Sequence, residues 1–108
     1  MLLTLWTKTQ VFLERFWGHK GGNQNIAQCL GIFHEEVGEL RDAVLAGTVE
    51  ESCHEAADVV VTIIQMLLAK GAEYWELEQA IRQVIEKNDR KSADTHQIDE
   101  NGKIRRIE

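Results

Sequence analysis

Apolar residues recur at helical spacing through four successive stretches of the chain, and glycines or capping residues mark the breaks between them. In the first, Leu2, Leu5, Trp6, Thr9, Phe12, Leu13 and Phe16 fall on one side of the wheel, with Lys8, Gln10, Glu14 and Arg15 elsewhere. This predicts an amphipathic helix over 2–17. It runs into Gly18-His19-Lys20-Gly21-Gly22-Asn23, a polar loop whose glycines permit positive φ and which serves either as a connector or as a flap beside a pocket. A second helix is expected from about Asn25, with Gln28 completing a loose capping box, to Gly47. Ile26, Leu30, Phe33, Val37, Leu40 and Val44 recur along it at intervals of four and three, a seam that packs against other helices. Thr48-Val49-Glu50-Glu51 reads as a capping box opening a third helix that runs to Lys70. From Ala56 to Ala69 that helix is apolar around most of its circumference, as in the central helix of a bundle or oligomer, and Glu55, Asp58, Thr62 and Gln65 form its one polar stripe. The fourth helix spans 73–91, with Leu77, Ala80, Ile81, Val84 and Ile85 inward, and ends in Lys87-Asn88-Asp89-Arg90-Lys91. Residues 92–108 are polar, and their Asn101-Gly102 pair is typical of a tight hairpin turn. They are expected to form a short ribbon, or an arm laid on a neighbour.

The chemistry suggested by this pattern lies in two acid pairs. Glu36 and Glu39 are three positions apart, as are Glu55 and Asp58, so on a helix each pair stacks on one face. At about 100° per residue, Glu36 and Glu39 share a partly apolar flank with Cys29, Ile32 and Ala43, whereas Glu35, Gly38, Arg41 and Asp42 fall on the solvated arc. Two such pairs on adjacent helices make a four-carboxylate cluster, whose mutual repulsion calls for a cation. Oxygen-only ligation suits Mg²⁺ or Mn²⁺, completed by water and substrate phosphate. From spacing alone, the same acids also fit a solvated helix surface.

The chain has 108 residues, enough for one domain but short of the size at which a monomer is comfortable. It lacks proline and has few aromatics, a composition that favours helix. A net charge of −6 argues against nucleic acid and anionic membranes as partners, so an anionic substrate must arrive with its metal. Cys29 and Cys53 sit in apolar helical patterns and are expected to be buried free thiols. With no leader-like segment at the start and no apolar run reaching about 18 residues, the chain is expected to be soluble and cytoplasmic. Glu51-Ser52-Cys53-His54 spells Glu-x-x-His, but a di-iron site needs two copies and the chain has one. Trp17, beside the glycine loop, and Trp6 are possible stacking surfaces for a base, weighed against a place in the core. His19 and His34 read as ordinary surface histidines.

Glu35-Glu36-Val37-Gly38-Glu39-Leu40, then Glu55-Ala56-Ala57-Asp58-Val59-Val60, then Lys87-Asn88-Asp89-Arg90-Lys91 together resemble the MazG-like all-α nucleoside triphosphate pyrophosphohydrolases. That superfamily also holds dUTP and dCTP pyrophosphatases and phosphoribosyl-ATP pyrophosphohydrolase. The resemblance covers about residues 5–91, and Ala56-Ala57-Asp58 stands where relatives often have Leu-x-Asp. It implies an all-α, four-helix bundle over 1–91 that assembles as a homodimer or homotetramer, with 92–108 as a C-terminal arm. It also implies Mg²⁺-dependent cleavage of a nucleoside triphosphate to the monophosphate and pyrophosphate. By position, Glu36, Glu39, Glu55 and Asp58 would be the metal ligands, and Glu39 or Glu36 the base. Lys87, Asn88 and Arg90 or Lys91 would face the phosphates or sugar, with Trp17 a candidate for the base. Two other readings stand beside it. One is a non-catalytic helical dimerisation or adaptor module, and the other is phosphoribosyl-ATP hydrolysis.

Overall fold

The computed structural model describes all 108 residues, Met1–Glu108. Four helices follow in order, α1 Leu2–Trp17, α2 Ile26–Ala46, α3 Val49–Ala69 and α4 Tyr74–Asp89, and a hairpin of β1 His96–Ile98 and β2 Ile104–Arg106 closes the chain. This all-α architecture is the one the pattern predicts, with boundaries within about two residues of those read from the caps. Asn25 accepts the Gln28 N–H at 3.1 Å to open α2. Thr48 accepts the Glu51 N–H at 3.1 Å to open α3, and the Thr48 hydroxyl in turn donates to Glu51 Oε1 at 3.2 Å. Gly18 ends α1 in the left-handed region at φ 62°, its N–H reaching the Glu14 carbonyl at 2.7 Å.

Two compact units divide the chain, Met1–Tyr74 and Trp75–Glu108. In the first, the two-residue link Gly47-Thr48 folds α3 back along α2 as an αα-hairpin, and α1 packs on α3. Its core is small: Trp6, Leu13, Cys29, Ile64 and Leu68, joined by buried Thr9, Asn23, Thr62 and Gln65. Trp6 packs edge to face with Tyr74 at 6.2 Å, which gives it a core role. The glycine loop is tied down from within. Asn23 is buried, bonds Gln28 and the Asn25 N–H, and offers its carbonyl to Cys29 Sγ. In the second unit, α4 is followed by the hairpin, whose register pairs His96 with Arg106 and Ile98 with Ile104.

Several faces are oriented differently from the sequence expectation. On α2 the buried residue is Cys29, and the half-buried ones include Ile32, Glu36 and Ala43, so the acid-bearing flank is the side turned inward. Of the seam residues, Ile26, Leu30, Val37 and Val44 are exposed, whereas Phe33 and Leu40 are half-buried. On α3 the buried positions are Thr62, Ile64, Gln65 and Leu68, so the polar stripe points inward while Val60 stays open. The inward acids agree with the expectation and the open seam does not; a single chain has too few helices to cover every apolar stripe, and Glu36 and Glu39 of α2 meet Glu55 of α3. The same shortage leaves Phe12 and Phe16 exposed on α1, edge to face with each other at 5.3 Å, and leaves Ala80, Ile81, Val84 and Ile85 exposed on α4, where they were expected inward. Cys53 is an exposed thiol rather than a buried one, because it lies on the outward side of the first turns of α3. By length and average composition alone α3 is apolar enough to cross a membrane, with mean hydropathy 1.3, although its uncharged run is bounded by Asp58 and Lys70. The hairpin turn is built around Asp99 as much as around Asn101-Gly102, since Asp99 Oδ1 accepts the N–H groups of Asn101 and Lys103 at 2.8 and 2.9 Å.

Two glycines separate backbone demand from free space. Gly22 has φ 66°, and a Cβ there would sit 2.9 Å from the Cβ of Leu13, whereas a Cβ on Gly31 in α2 would meet nothing within 4 Å. Gly22→Ala should therefore cost about 1–3 kcal/mol, and Gly31→Ala should add about 0.5–1 kcal/mol by helix propensity. Urea denaturation of the two variants checks the opposite signs.

Candidate active site

The αα-hairpin places Glu36 and Glu39 of α2 beside Glu55 of α3. One carboxylate oxygen from each lies within 4.8 Å of the others. Asp58, one turn along α3 from Glu55, is exposed, and its charge acts on both Glu36 and Glu55. Glu36 and Glu55 are half-buried and Glu39 is open to solvent. Desolvation, above all, holds the Glu36 carboxyl above its ordinary range. The Glu39 charge, a hydrogen bond to Glu39 that only the protonated form can donate, and the charges of Asp58 and Glu55 add to it. Glu55 is raised for the same reasons, with desolvation first, then the charges of Glu39 and Asp58 and a hydrogen bond to Glu39, partly offset by His54. As carboxylates, Glu36 and Glu55 each keep one buried oxygen, Oε2, with no donor at all. Buried acceptors without partners are costly, and here they point to a missing positive charge.

This donor set fits a hard divalent cation: it is all oxygen, clustered and anionic, and two of its members carry an unpartnered buried oxygen. The acids also border a cleft of about 390 Å³ lined by Glu39, Asp42, Ala43, Gly47, Glu51 and Glu55. Asp42 and Glu51 are the surprises there. Asp42 sits on the arc read as solvated, where Arg41 pairs with it at 3.2 Å, and Glu51 is reached through its capping role. Only the link length between α2 and α3 signals that either would border the acids.

Residues 24–96 match the family model of the MazG nucleotide pyrophosphohydrolase domain. The chain belongs to the MazG nucleotide pyrophosphohydrolase family. No curated protein and no solved structure matches it. The matched span of this MazG chain holds the acids of α2 and α3 and the basic end of α4, and leaves α1 outside. Lys87, Arg90 and Lys91 meet in one cleft of about 230 Å³ within the C-terminal unit, where Thr95, His96 and Arg106 join them. Asn88 is not among the lining residues; its carbonyl accepts the Lys91 N–H at 3.0 Å. Trp17 is half exposed, packs edge to face with Phe16 at 6.4 Å, and does not line the acidic cleft. Neither Glu51 nor His54 joins a metal-holding group. Glu51 is committed to Thr48, and His54 approaches only Glu50, at 4.0 Å.

A carboxyl whose pKa is raised by folding favours the folded state at low pH and costs stability as pH climbs through that raised value. In metal-free protein, Glu55→Gln should therefore raise Tm at pH 7 by several degrees, and the gain should vanish by about pH 4, where the glutamate is itself largely neutral. Thermal melts of both proteins from pH 4 to 7, with and without a divalent cation, check this. The cation should raise the wild-type Tm at pH 7 by more than it raises the variant's.

Proposed function

We propose that this MazG-family chain is a Mg²⁺-dependent nucleoside triphosphate pyrophosphohydrolase, with Mn²⁺ able to substitute. Its reaction adds water across a phosphoanhydride of a canonical or modified deoxynucleoside triphosphate, releasing the monophosphate and pyrophosphate and clearing unwanted nucleotides from the pool. The observation that carries this reading is the trio of carboxylates within 4.8 Å of one another, two of them with an orphaned buried oxygen. Glu36, Glu39, Glu55 and Asp58 would hold the cation, which supplies charge neutralisation on the triphosphate and a more acidic water. Glu39 is the candidate base. It is the exposed member of the trio, so a water can reach it, and it is the residue to which both Glu36 and Glu55 hydrogen-bond when protonated. Glu36, with its buried oxygen, is better suited to ligation. Lys87, Arg90 and Lys91 are the family-positioned cations that would bind phosphate oxygens, and they share one cleft of their own unit.

The active form in this reading is a homodimer or homotetramer working in the cytoplasm. Exposed Ile26, Leu30, Val37 and Val44 on α2, with Val60 on α3, leave a long apolar surface at heptad-like spacing, and the unpaired thiols Cys29 and Cys53 suit a reducing compartment. Light scattering on the purified protein should give at least about twice the 12.3 kDa chain mass. Val37→Glu should shift it toward the monomer, and a monomeric wild type at micromolar concentration would remove this part of the reading.

Incubation with each common (d)NTP and Mg²⁺, scoring pyrophosphate against orthophosphate, tests the activity. Glu39→Gln should slow pyrophosphate release by about a hundredfold or more while the helical circular dichroism signal persists. Undiminished release in that variant, or orthophosphate as the first product, would overturn the proposal.

A further inference from the structure

The sequence pattern left residues 92–108 without a role, yet they supply half of the residues that line the cationic cleft in the C-terminal unit. Antiparallel pairing sets His96 directly opposite Arg106, so both side chains leave the ribbon on one face. The Ser92–Thr95 turn fixes that face against the end of α4. The N–H groups of Thr95 and His96 reach the Ser92 carbonyl at 3.1 and 2.8 Å, and the Ile107 N–H reaches the Thr95 carbonyl at 2.9 Å. The resulting cleft is walled by Lys87, Arg90, Lys91, Thr95, His96 and Arg106, with a volume of about 230 Å³. At about 30 Å³ per liquid water, that is room for seven or eight waters, or for a diphosphate with part of its hydration.

The cations in this cleft outnumber their partners. The ion pairs of the unit are Arg82 with Glu78, Arg90 with Glu86 at 3.9 Å, and Arg105 with Asp99, and Lys87, Lys91 and Arg106 belong to none of them. The His96 ring feels the crowding. Desolvation and the charges of Lys91, Arg106 and Lys87 hold its pKa below the ordinary value, so it is a neutral ring among cations. Thr95 Oγ1 lies 2.7 Å from His96 Nδ1. That hydroxyl has one proton to give and also lies 3.3 Å from the Ser92 carbonyl, so the ring proton sits on Nε2 when the hydroxyl turns to Nδ1 and on Nδ1 when it turns to Ser92. Arg106 adds a planar fork that matches phosphate oxygens.

We propose that the hairpin residues Thr95, His96 and Arg106, together with Lys87, Arg90 and Lys91, form a binding site for the diphosphate group of a nucleotide or for released pyrophosphate. The choice of ligand rests on the nucleotide-hydrolysing reading, and the geometry of the site does not. An acidic peptide fits less well, because a single carboxylate leaves most of these donors unmatched.

Calorimetric titration of the full chain with pyrophosphate, without divalent metal, tests the site. Arg106→Ala should weaken binding tenfold or more, and Arg106→Gln, which keeps the length and loses the charge, should weaken it in the same direction. Lys103→Ala, which removes an equal charge from the same hairpin outside the cleft, should change it less than twofold. In parallel NMR titrations, saturating pyrophosphate should move the His96 ring titration to higher pH, because the bound anion offsets the three neighbouring cations. Equal losses in the Arg106 and Lys103 variants would show only diffuse attraction to a basic surface and overturn the site, as would an unmoved His96. Hydrolysis assayed on the same samples separates the two proposals. Absent pyrophosphate binding with turnover intact removes the hairpin site alone, whereas binding without any triphosphate cleavage removes the enzyme reading and leaves the site standing.

Discussion

The mutual repulsion of carboxylates held on facing helices is the constraint that orders the rest of this molecule. Glu36, Glu39 and Glu55 crowd within 4.8 Å, with Asp58 adding its charge from the next turn, and desolvation makes the ionised forms of Glu36 and Glu55 costlier. Nothing in the packing of α2 on α3 requires acids at these positions. Replacing buried charged groups by apolar residues of similar volume is often neutral or stabilising, so acids at these positions cost the metal-free fold stability.

That choice also explains which faces are left open. Because α2 turns its acid flank toward α3, its heptad-like seam with Leu30, Val37 and Val44 must point away, and α3 likewise turns Thr62 and Gln65 inward and leaves Val60 uncovered. On α3 the buried Thr62 hydroxyl is satisfied locally, donating to the Val59 carbonyl at 2.7 Å. An inward acid flank and an outward apolar surface are thus two sides of one arrangement. Cys29 marks the dry end of the flank. It is fully buried, with its thiol raised by desolvation, and anchors the start of α2 to the Asn23 carbonyl.

Helix boundaries were legible because they rest on local chemistry. Asn25, Thr48 and Gly18 each satisfy end groups of a single helix, and no distant contact is needed to read them. The pairing of Glu36 and Glu39 with Glu55 was legible for a related reason, since spacing of three within each helix and a short link between helices bring the acids to one place. The faces were not legible, because periodicity shows which residues share a side and not which side finds a neighbour. The seam of α2 and the stripe of Ile81, Val84 and Ile85 on α4 have the strongest apolar pattern and the least cover. The cationic cleft escaped the sequence for a third reason. Lys87 and Arg106 are nineteen positions apart in the chain, and only strand register and the Ser92–Thr95 turn bring them to one cleft.

The central claim is that one divalent cation belongs among Glu36, Glu39, Glu55 and Asp58. A crystal grown with Mn²⁺ and measured at an energy where manganese scatters anomalously tests it most directly. The account predicts a single strong anomalous peak, or a close pair, within bonding distance of the carboxylate oxygens of Glu36, Glu39 and Glu55. A well-ordered site with no peak there at saturating Mn²⁺, or a peak held by other residues alone, would contradict it.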